Sequence, residues 1–193
     1  MKYFPIDNTL FIQNRKNFIA KMKPHSLAVF NSNDIYTISA DSTMPFQQHR
    51  DIFFLSGVDQ EESILFPDCP KEKHREILFL KETNEHIAVW EGEKLTKEAA
   101  FNTSGVKTVY WLQDMEKVMF ELMTQCDTLY INTNEHYRAS VETETREDRY
   151  TKWLKDKYPA HSVAKSAPIL QRLRSVKNQI EIDLIQQACN ITE

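Results

Sequence analysis

The chain has 193 residues, of which 41% are hydrophobic and 27% charged, and its formal net charge is −4. This length and apolar content suffice for one ordinary core, and the acidic balance lacks the basic field that nucleic-acid phosphates attract. No apolar run reaches the roughly 18 residues of a membrane span, and the first ten residues lack the layout of a signal peptide. We therefore expect a cytoplasmic protein with neither nucleic-acid nor membrane partners.

The first part of the chain predicts one helix followed by a series of strands. Asn8 can cap a helix that runs to about Met22, because Pro24 blocks its continuation. Short runs rich in aromatic and β-branched residues, bounded by Pro, Asn, Asp or Gly, are typical of strands. Such runs occur at residues 27–30, 35–38, 52–55, 64–66, 77–80, 87–90 and 106–110.

The middle of the chain predicts two helices and a further strand. The first helix covers residues 96–104 and stops at Gly105. The second follows Leu112, because apolar residues recur there at helical spacing and indicate a core-facing stripe; they are Met115, Val118, Met119, Leu122 and Met123. Residues 128–131 then predict a strand. The charged stretch 134–158 is either a helix with a solvated face or a long loop.

The last residues predict a helix that begins after Asn178. Its side chain can accept from the amides of the next turn while Glu181 reaches back, which is an Asn version of the capping box. An apolar stripe follows at Ile180, Leu184, Ile185, Ala188 and Ile191. Since no stop signal follows the stripe, we expect it to continue into more protein; the alternative is a helix that docks back on this domain.

Signatures of a reactive centre are missing from the sequence. The six histidines are never paired at metal-ligand spacing, and no Gly-x-Ser-x-Gly elbow occurs. The three glycines are too scattered for a phosphate-binding loop. Cys126 extends the apolar stripe of a predicted helix, where burial would keep its thiol protonated. We therefore predict no catalytic residue and no metal site in this chain.

Three stretches of the sequence together resemble one known family. Residues 44–66 read MPFQQHRDIFFLSGVDQEESILF, residues 88–100 read AVWEGEKLTKEAA, and residues 170–192 read LQRLRSVKNQIEIDLIQQACNIT. In order and spacing they resemble the amino-terminal domain of the aminopeptidase P, prolidase and creatinase family. His49, Arg50 and Ile52 depart from the usual residues of that family. Asn178 also departs from it, by replacing a usual Ser or Thr with a side chain of the same capping chemistry.

The resemblance implies a fold class and a domain plan. The expected fold is α/β, with a mixed β-sheet flanked by helices, like the creatinase and prolidase N-terminal domain with its ribonuclease H-like motif. Residues 1–175 would form this domain, and residues 176–193 would begin a linker helix into a metallopeptidase domain of the pita-bread type. In the family that second domain binds two divalent metals, commonly manganese, through two Asp, one His and two Glu. All of these ligands would lie beyond Glu193.

The resemblance also implies a function, namely the non-catalytic amino-terminal domain of a Xaa-Pro aminopeptidase. Such a domain serves oligomerisation and active-site access, and its partners would be its own catalytic domain, further copies, and peptides with proline at the second position. Trp90 matches a tryptophan near the active-site entrance, although an aromatic residue in an apolar strand is more often core. Around Asp51 we expect a structural role, with residues 53–55 in a buried strand, a turn at Gly57, and Asp51 binding loop amides.

Three alternatives stay open at this point. The chain could be the amino-terminal domain of a prolidase, because prolidase and creatinase share this domain. It could belong to a relative that has lost the metal site and binds peptides, as histone chaperones of this plan do. It could also be a free-standing interaction domain, which predicts that the last helix packs on its own sheet.

Overall fold

The structure is a computed structural model that describes residues 5–69, 74–138 and 142–192. The helices are α1 Thr9–Ile19, α2 Arg50–Ser56, α3 Glu85–Glu91, α4 Lys97–Ser104, α5 Met115–Met123, α6 Arg146–Lys157, α7 Ala167–Ser175 and α8 Gln179–Thr192, with a 3₁₀ turn at Leu112–Asp114. The strands are β1 Ser26–Ala28, β2 Phe30–Asn31, β3 Thr37–Ser39, β4 Ser42–Thr43, β5 Ile64–Cys69, β6 Arg75–Leu80, β7 Thr108–Trp111, β8 Thr128–Ile131 and β9 Ser162–Lys165.

One mixed sheet organises the domain. Its order is β7-β6-β5-β1-β8-β9, with β2 also paired to β5. Strands β1, β8 and β9 run parallel to one another, as do β6 and β7, whereas β5 runs antiparallel to β1, β2 and β6. The short β3–β4 hairpin forms a separate sheet. The predicted class, a mixed sheet flanked by helices, is confirmed.

Alternate residues of the strands feed two cores on opposite faces of the sheet. Leu27 and Val29 belong to one core while Ala28 and Phe30 belong to the other, because successive side chains of a strand point to opposite faces. Helices α1, α2, α4 and α7 contribute buried residues to one core, and α5 and α6 contribute to the other. The apolar stripe predicted for α5 is confirmed, since Met119, Leu122 and Met123 are buried there.

Two of the predicted strands are wrong, because the runs at 52–55 and 87–90 lie in helices α2 and α3. Short apolar runs do not distinguish a strand from a helix, and capping decides between them. Helix α3 begins where the Asn84 side chain accepts a hydrogen bond from the Ile87 amide at 2.9 Å, and it ends at Gly92. The predicted run 35–38 overlaps strand β3, but β3 is exposed and lies outside the main sheet.

Several predicted helix ends hold, and one capping mechanism is wrong. Thr96 and Gly105 bound α4 as expected. Helix α1 starts after Asn8 but ends at Ile19, and the Asn8 side chain makes no capping bond. Its Nδ2 donates to the carbonyl oxygen of Asn102 at 3.0 Å. The charged stretch 134–158 contains helix α6, which begins with a capping box between Thr145 and Asp148.

Helix α8 stands apart from both cores. Its predicted capping box is present, with 2.9 Å bonds from the Glu181 amide to Asn178 Oδ1 and from the Asn178 amide to Glu181 Oε2. None of its described residues is buried, and Ile185 and Ile191 are 51% and 83% exposed. This exposure argues against the alternative in which the helix docks back on the sheet. No described helix is long and apolar enough to cross a bilayer.

Candidate functional site

The 44–66 stretch contains helix α2, the loop that follows it and the start of β5. The buried Gln48 side chain donates from Nε2 to the carbonyl oxygens of Val58 and Gln60, both at 3.0 Å, and so fixes that loop. Helix α2 ends at Gly57, whose φ of +69° is a conformation that other residues rarely adopt. A Cβ at this glycine would overlap the Phe11 ring. The turn predicted at Gly57 is therefore present, but it closes a helix and not a strand.

Asp51 joins the first and third family-like stretches. Its Oδ1 accepts from Arg174 Nη1 at 2.7 Å, and its Oδ2 accepts from Asn132 Nδ2 at 3.2 Å. The Arg174 guanidinium also lies 5.6 Å from the centre of the Phe54 ring. The expectation that Asp51 binds loop amides is therefore corrected: its carboxylate connects the start of α2, the end of β8 and the end of α7.

His49 caps the helix on which Asp51 stands. Burial lowers the pKa of His49, against the opposing effect of the Asp51 carboxylate. A neutral imidazole can accept a hydrogen bond, and His49 Nδ1 accepts from the Asp51 amide at 3.3 Å. His49, one of the departures from the family pattern, thus serves as the N-cap of α2.

A second carboxylate, which is buried, lies near the ion pair of Asp51 and Arg174. Glu147, at the start of α6, accepts from the Asn31 amide at 2.9 Å and from Asn31 Nδ2 at 3.0 Å. Burial raises the pKa of Glu147 to about 7, although hydrogen bonds from Asn31 and Asn132 favour the ionised form. Because Asn132 contacts both carboxylates, the two acids belong to one polar cluster, which comprises Asn31, Asp51, Asn132, Glu147 and Arg174 and is called the polar edge below.

A cavity of about 550 Å³ opens beside the polar edge. It lies between α2, the segment after β8, and α7, with His49, Asn134, His136 and Gln171 among its lining residues. Crevices at the carboxyl ends of parallel strands are common ligand sites in open α/β sheets. The described lining residues include Thr133, Asp51 and Glu135 but no serine, cysteine or lysine.

Trp90 lies on α3 and is 80% exposed, and its neighbour Val89 is 76% exposed. The alternative that Trp90 is a core residue is therefore wrong. Helix α3 contributes no side chain to either described core. The structure thus leaves Trp90 available for contact with another surface.

Metal-ligating side chains are not grouped in the described part of the chain. No three His, Cys, Asp or Glu side chains are grouped there so that they could hold a metal ion. Burial, reinforced by the Asp68 carboxylate, raises the pKa of the Cys126 thiol to about 12. The prediction that this thiol is buried is therefore confirmed, and its raised pKa favours the protonated form.

Sequence reasoning missed the roles of Asn31, Asn132, Glu147 and Arg174 in the polar edge. One signal for Asn132 was available, since a polar residue directly after a buried parallel strand lies at the edge where ligands and side-chain clusters collect. No local pattern pointed to Glu147, which stands in a stretch of exposed charges. Its burial follows from the contact of α6 with β2, which joins residues 116 positions apart.

Comparisons with known proteins agree with this architecture. A Xaa-Pro aminopeptidase from Escherichia coli (strain K12) is 23% identical over 94% of this chain and 42% of its own length. A solved structure described as an aminopeptidase P from Bacillus anthracis superposes with a TM-score of 0.86 at 23% identity, covering 94% of this chain and 43% of that one. Zinc-substituted E. coli aminopeptidase P in complex with product superposes with a TM-score of 0.77 at 21% identity, over 98% and 43%.

The chain thus spans less than half the length of these relatives. The family model described as "Aminopeptidase P, N-terminal domain" matches residues 11–130, which is more than half of the chain. The chain therefore belongs to the aminopeptidase P N-terminal domain family.

Proposed function

We propose that this chain is the non-catalytic amino-terminal domain of a Xaa-Pro aminopeptidase. Residues 1–175 form the domain, and residues 176–193 begin a linker helix into a metallopeptidase domain of the pita-bread type. The observation that carries the proposal is the family match over residues 11–130, combined with coverage of only 42% of the E. coli enzyme. The names of the relatives favour an aminopeptidase over a prolidase or a peptide-binding protein.

The chemistry of the longer protein is assigned to residues beyond Glu193. Two divalent ions, which we take to be manganese, would activate a water for attack on the bond before proline. The described residues of this chain do not fit such a centre, because they group no set of metal-ligating side chains. The zinc-substituted neighbour supports a metal-dependent parent enzyme. We assign no hydrolytic step to any residue of this chain.

The role of the domain itself is to assemble the enzyme and to control access to its active site. Trp90 would stand at the entrance, where its indole would contact bound peptide. Its 80% exposure and its position outside both cores support this role. Ile38 in β3 and Met44 directly after β4 are 59% and 54% exposed and add apolar surface that fits a contact between copies.

The proposal is tested by assaying two proteins on a tripeptide with proline at the second position. The 193-residue chain is expected to show no turnover with or without manganese. The longer protein, made of this chain and its catalytic domain, is expected to release the first residue when manganese is present. Turnover by the 193-residue chain above the blank would contradict the inactive domain, and no turnover by the longer protein would contradict the peptidase.

The role of Trp90 is tested in the longer protein with Trp90→Ala. Loss of the indole should raise KM for a longer Xaa-Pro peptide by about tenfold, because an aromatic contact of this kind contributes about 1 kcal/mol or more. Tyr137→Ala is the matched control, since Tyr137 is also an exposed aromatic residue, at 86%. Equal effects of the two substitutions on KM would contradict the placement of Trp90 at the entrance.

A further inference from the structure

Helix α8 is only partly packed. None of its described residues is buried, although Ile180, Glu181 and Leu184 are half-buried, and its capping box lies within its own first turn. Val176, in the short connection from α7, is 76% exposed. The firmer attachment of α8 to the domain is therefore the end of α7.

Helix α7 is fixed to the domain by apolar packing and by an ion pair. Leu170 is only 2% exposed and belongs to one of the two cores, against which the partly buried Ile169 and Leu173 also pack. One turn later Arg174 binds Asp51 Oδ1 at 2.7 Å and lies 5.6 Å from the centre of the Phe54 ring. The Lys177 ammonium then bonds back to the Arg174 carbonyl oxygen. Arg174 is the last side chain in the described chain before α8 that is tied to another element of the domain.

The carboxylate that receives Arg174 is itself held in place. Asn132 Nδ2 donates to Asp51 Oδ2 at 3.2 Å, and the Asp51 amide is bonded to His49. The side chains of Asp51 and Arg174 are 21% and 41% exposed, so that water screens the ion pair in part. The ion pair therefore connects α7 to a rigid reference formed by α2 and the end of β8.

We propose that Arg174 is a positioning residue whose ion pair with Asp51 and contact with Phe54 set the direction in which α8 leaves the domain. The part of the proposal that concerns the polypeptide after α8 rests on the proposed function: there, Arg174 orients this domain over the catalytic domain. The part that concerns α8 does not depend on any catalytic activity.

The first experiment uses the 193-residue chain and measures ¹⁵N backbone order parameters by NMR. The wild-type α8 is expected to be as rigid as the domain, with order parameters near 0.85, and Arg174→Met should lower them below about 0.6 in α8 alone. Arg172→Met is the control, because Arg172 is an exposed arginine on the same helix. Asp51→Asn is a second test, because it removes the negative charge but keeps an oxygen facing Arg174. Arg174→Lys keeps the positive charge and should restore part of the order of α8.

Two results of this experiment would overturn the proposal. One is an α8 whose order parameters are the same in the Arg174→Met and wild-type chains, or fall equally in Arg172→Met. The other is a loss of order throughout the chain in both Arg174→Met and Asp51→Asn, which would make the pair a general stabiliser of the fold.

The second experiment measures the kinetics of Arg174→Met in the longer protein. Because a misplaced access domain affects extended substrates most, kcat/KM should fall about tenfold for a long Xaa-Pro peptide and less than about twofold for a dipeptide. A lower kcat for both substrates with an unchanged KM is the result expected from partial unfolding. This result would overturn the positioning role. If the wild-type longer protein cleaves neither substrate, the proposed function fails, and the order parameters of α8 still decide the role of Arg174.

Discussion

The polar edge and the exposed helices α3 and α8 depart from ordinary burial in opposite ways. At the polar edge, Asn31 and Glu147 are 0% and 7% exposed, although such residues usually lie in water. On α3 and α8, Trp90 and Ile191 are 80% and 83% exposed, although such residues usually lie in cores. Buried polar groups are tolerated because they are bonded to one another, whereas exposed apolar groups gain nothing until another surface covers them.

This contrast indicates that the polar edge and the exposed helices have different roles. The polar edge joins α2, α6, α7 and the end of β8, and each of its bonds is made within this chain. Helices α3 and α8 leave their apolar side chains free of both cores. Changes at or near the polar edge should therefore alter the stability of the 193-residue chain, and changes of the exposed apolar side chains on α3 or α8 should alter only its interactions.

The largest effect is expected at Gly57, where helix α2 ends. Gly57→Ala should lower the free energy of unfolding by about 3 kcal/mol, because it combines a strained positive φ with overpacking against Phe11. Gly92→Ala is the matched control at the end of α3, since its φ is +80° but nothing lies within 4 Å of the added Cβ. It should cost about 1 kcal/mol from strain alone. Equal losses in urea denaturation would show that the Phe11 contact does not matter.

A second effect is a dependence of stability on pH, caused by Glu147. Burial raises its pKa from about 4.5 to about 7, so the folded state holds this proton more tightly than the unfolded state. The stabilisation is complete below about pH 4.5 and is lost as the pH rises through 7. With about 1.4 kcal/mol for each pKa unit, the loss is about 3 kcal/mol.

Glu147→Gln tests this dependence, because the amide keeps the shape of the side chain and cannot ionise. Between pH 5 and pH 8 the free energy of unfolding of the variant should fall by about 3 kcal/mol less than that of the wild type. Urea denaturation at the two pH values measures the difference. The same exchange at Glu142, an exposed position, is the control. A variant that follows the wild-type pH profile would show that Glu147 does not titrate in this range.

The sequence predicted most of the sheet and less of the site, for a physical reason. Runs such as 64–66 and 77–80 lie in strands because their alternating apolar residues feed both cores, which is a local signal. The run at 52–55 became a helix because His49 and Gly57 cap it, and a run of four apolar residues carries no period long enough to reveal this. The polar edge depends on pairs such as Asp51 and Arg174, 123 residues apart, which no local pattern encodes.

The smallest effect on the free energy of unfolding is expected on α8, and a value close to that of the wild type is the informative result. Ile185→Ala should alter the free energy of unfolding of the 193-residue chain by less than about 0.5 kcal/mol, because Ile185 is 51% exposed and α8 buries none of its described residues. Ile52→Ala, the same exchange at a fully buried position of α2, should cost at least about 2 kcal/mol. Thermal and urea denaturation of both variants measure the contrast. A loss at Ile185 comparable to that at Ile52 would mean that α8 packs on its own domain in solution, and α8 would then need no anchor at Arg174 to hold its direction.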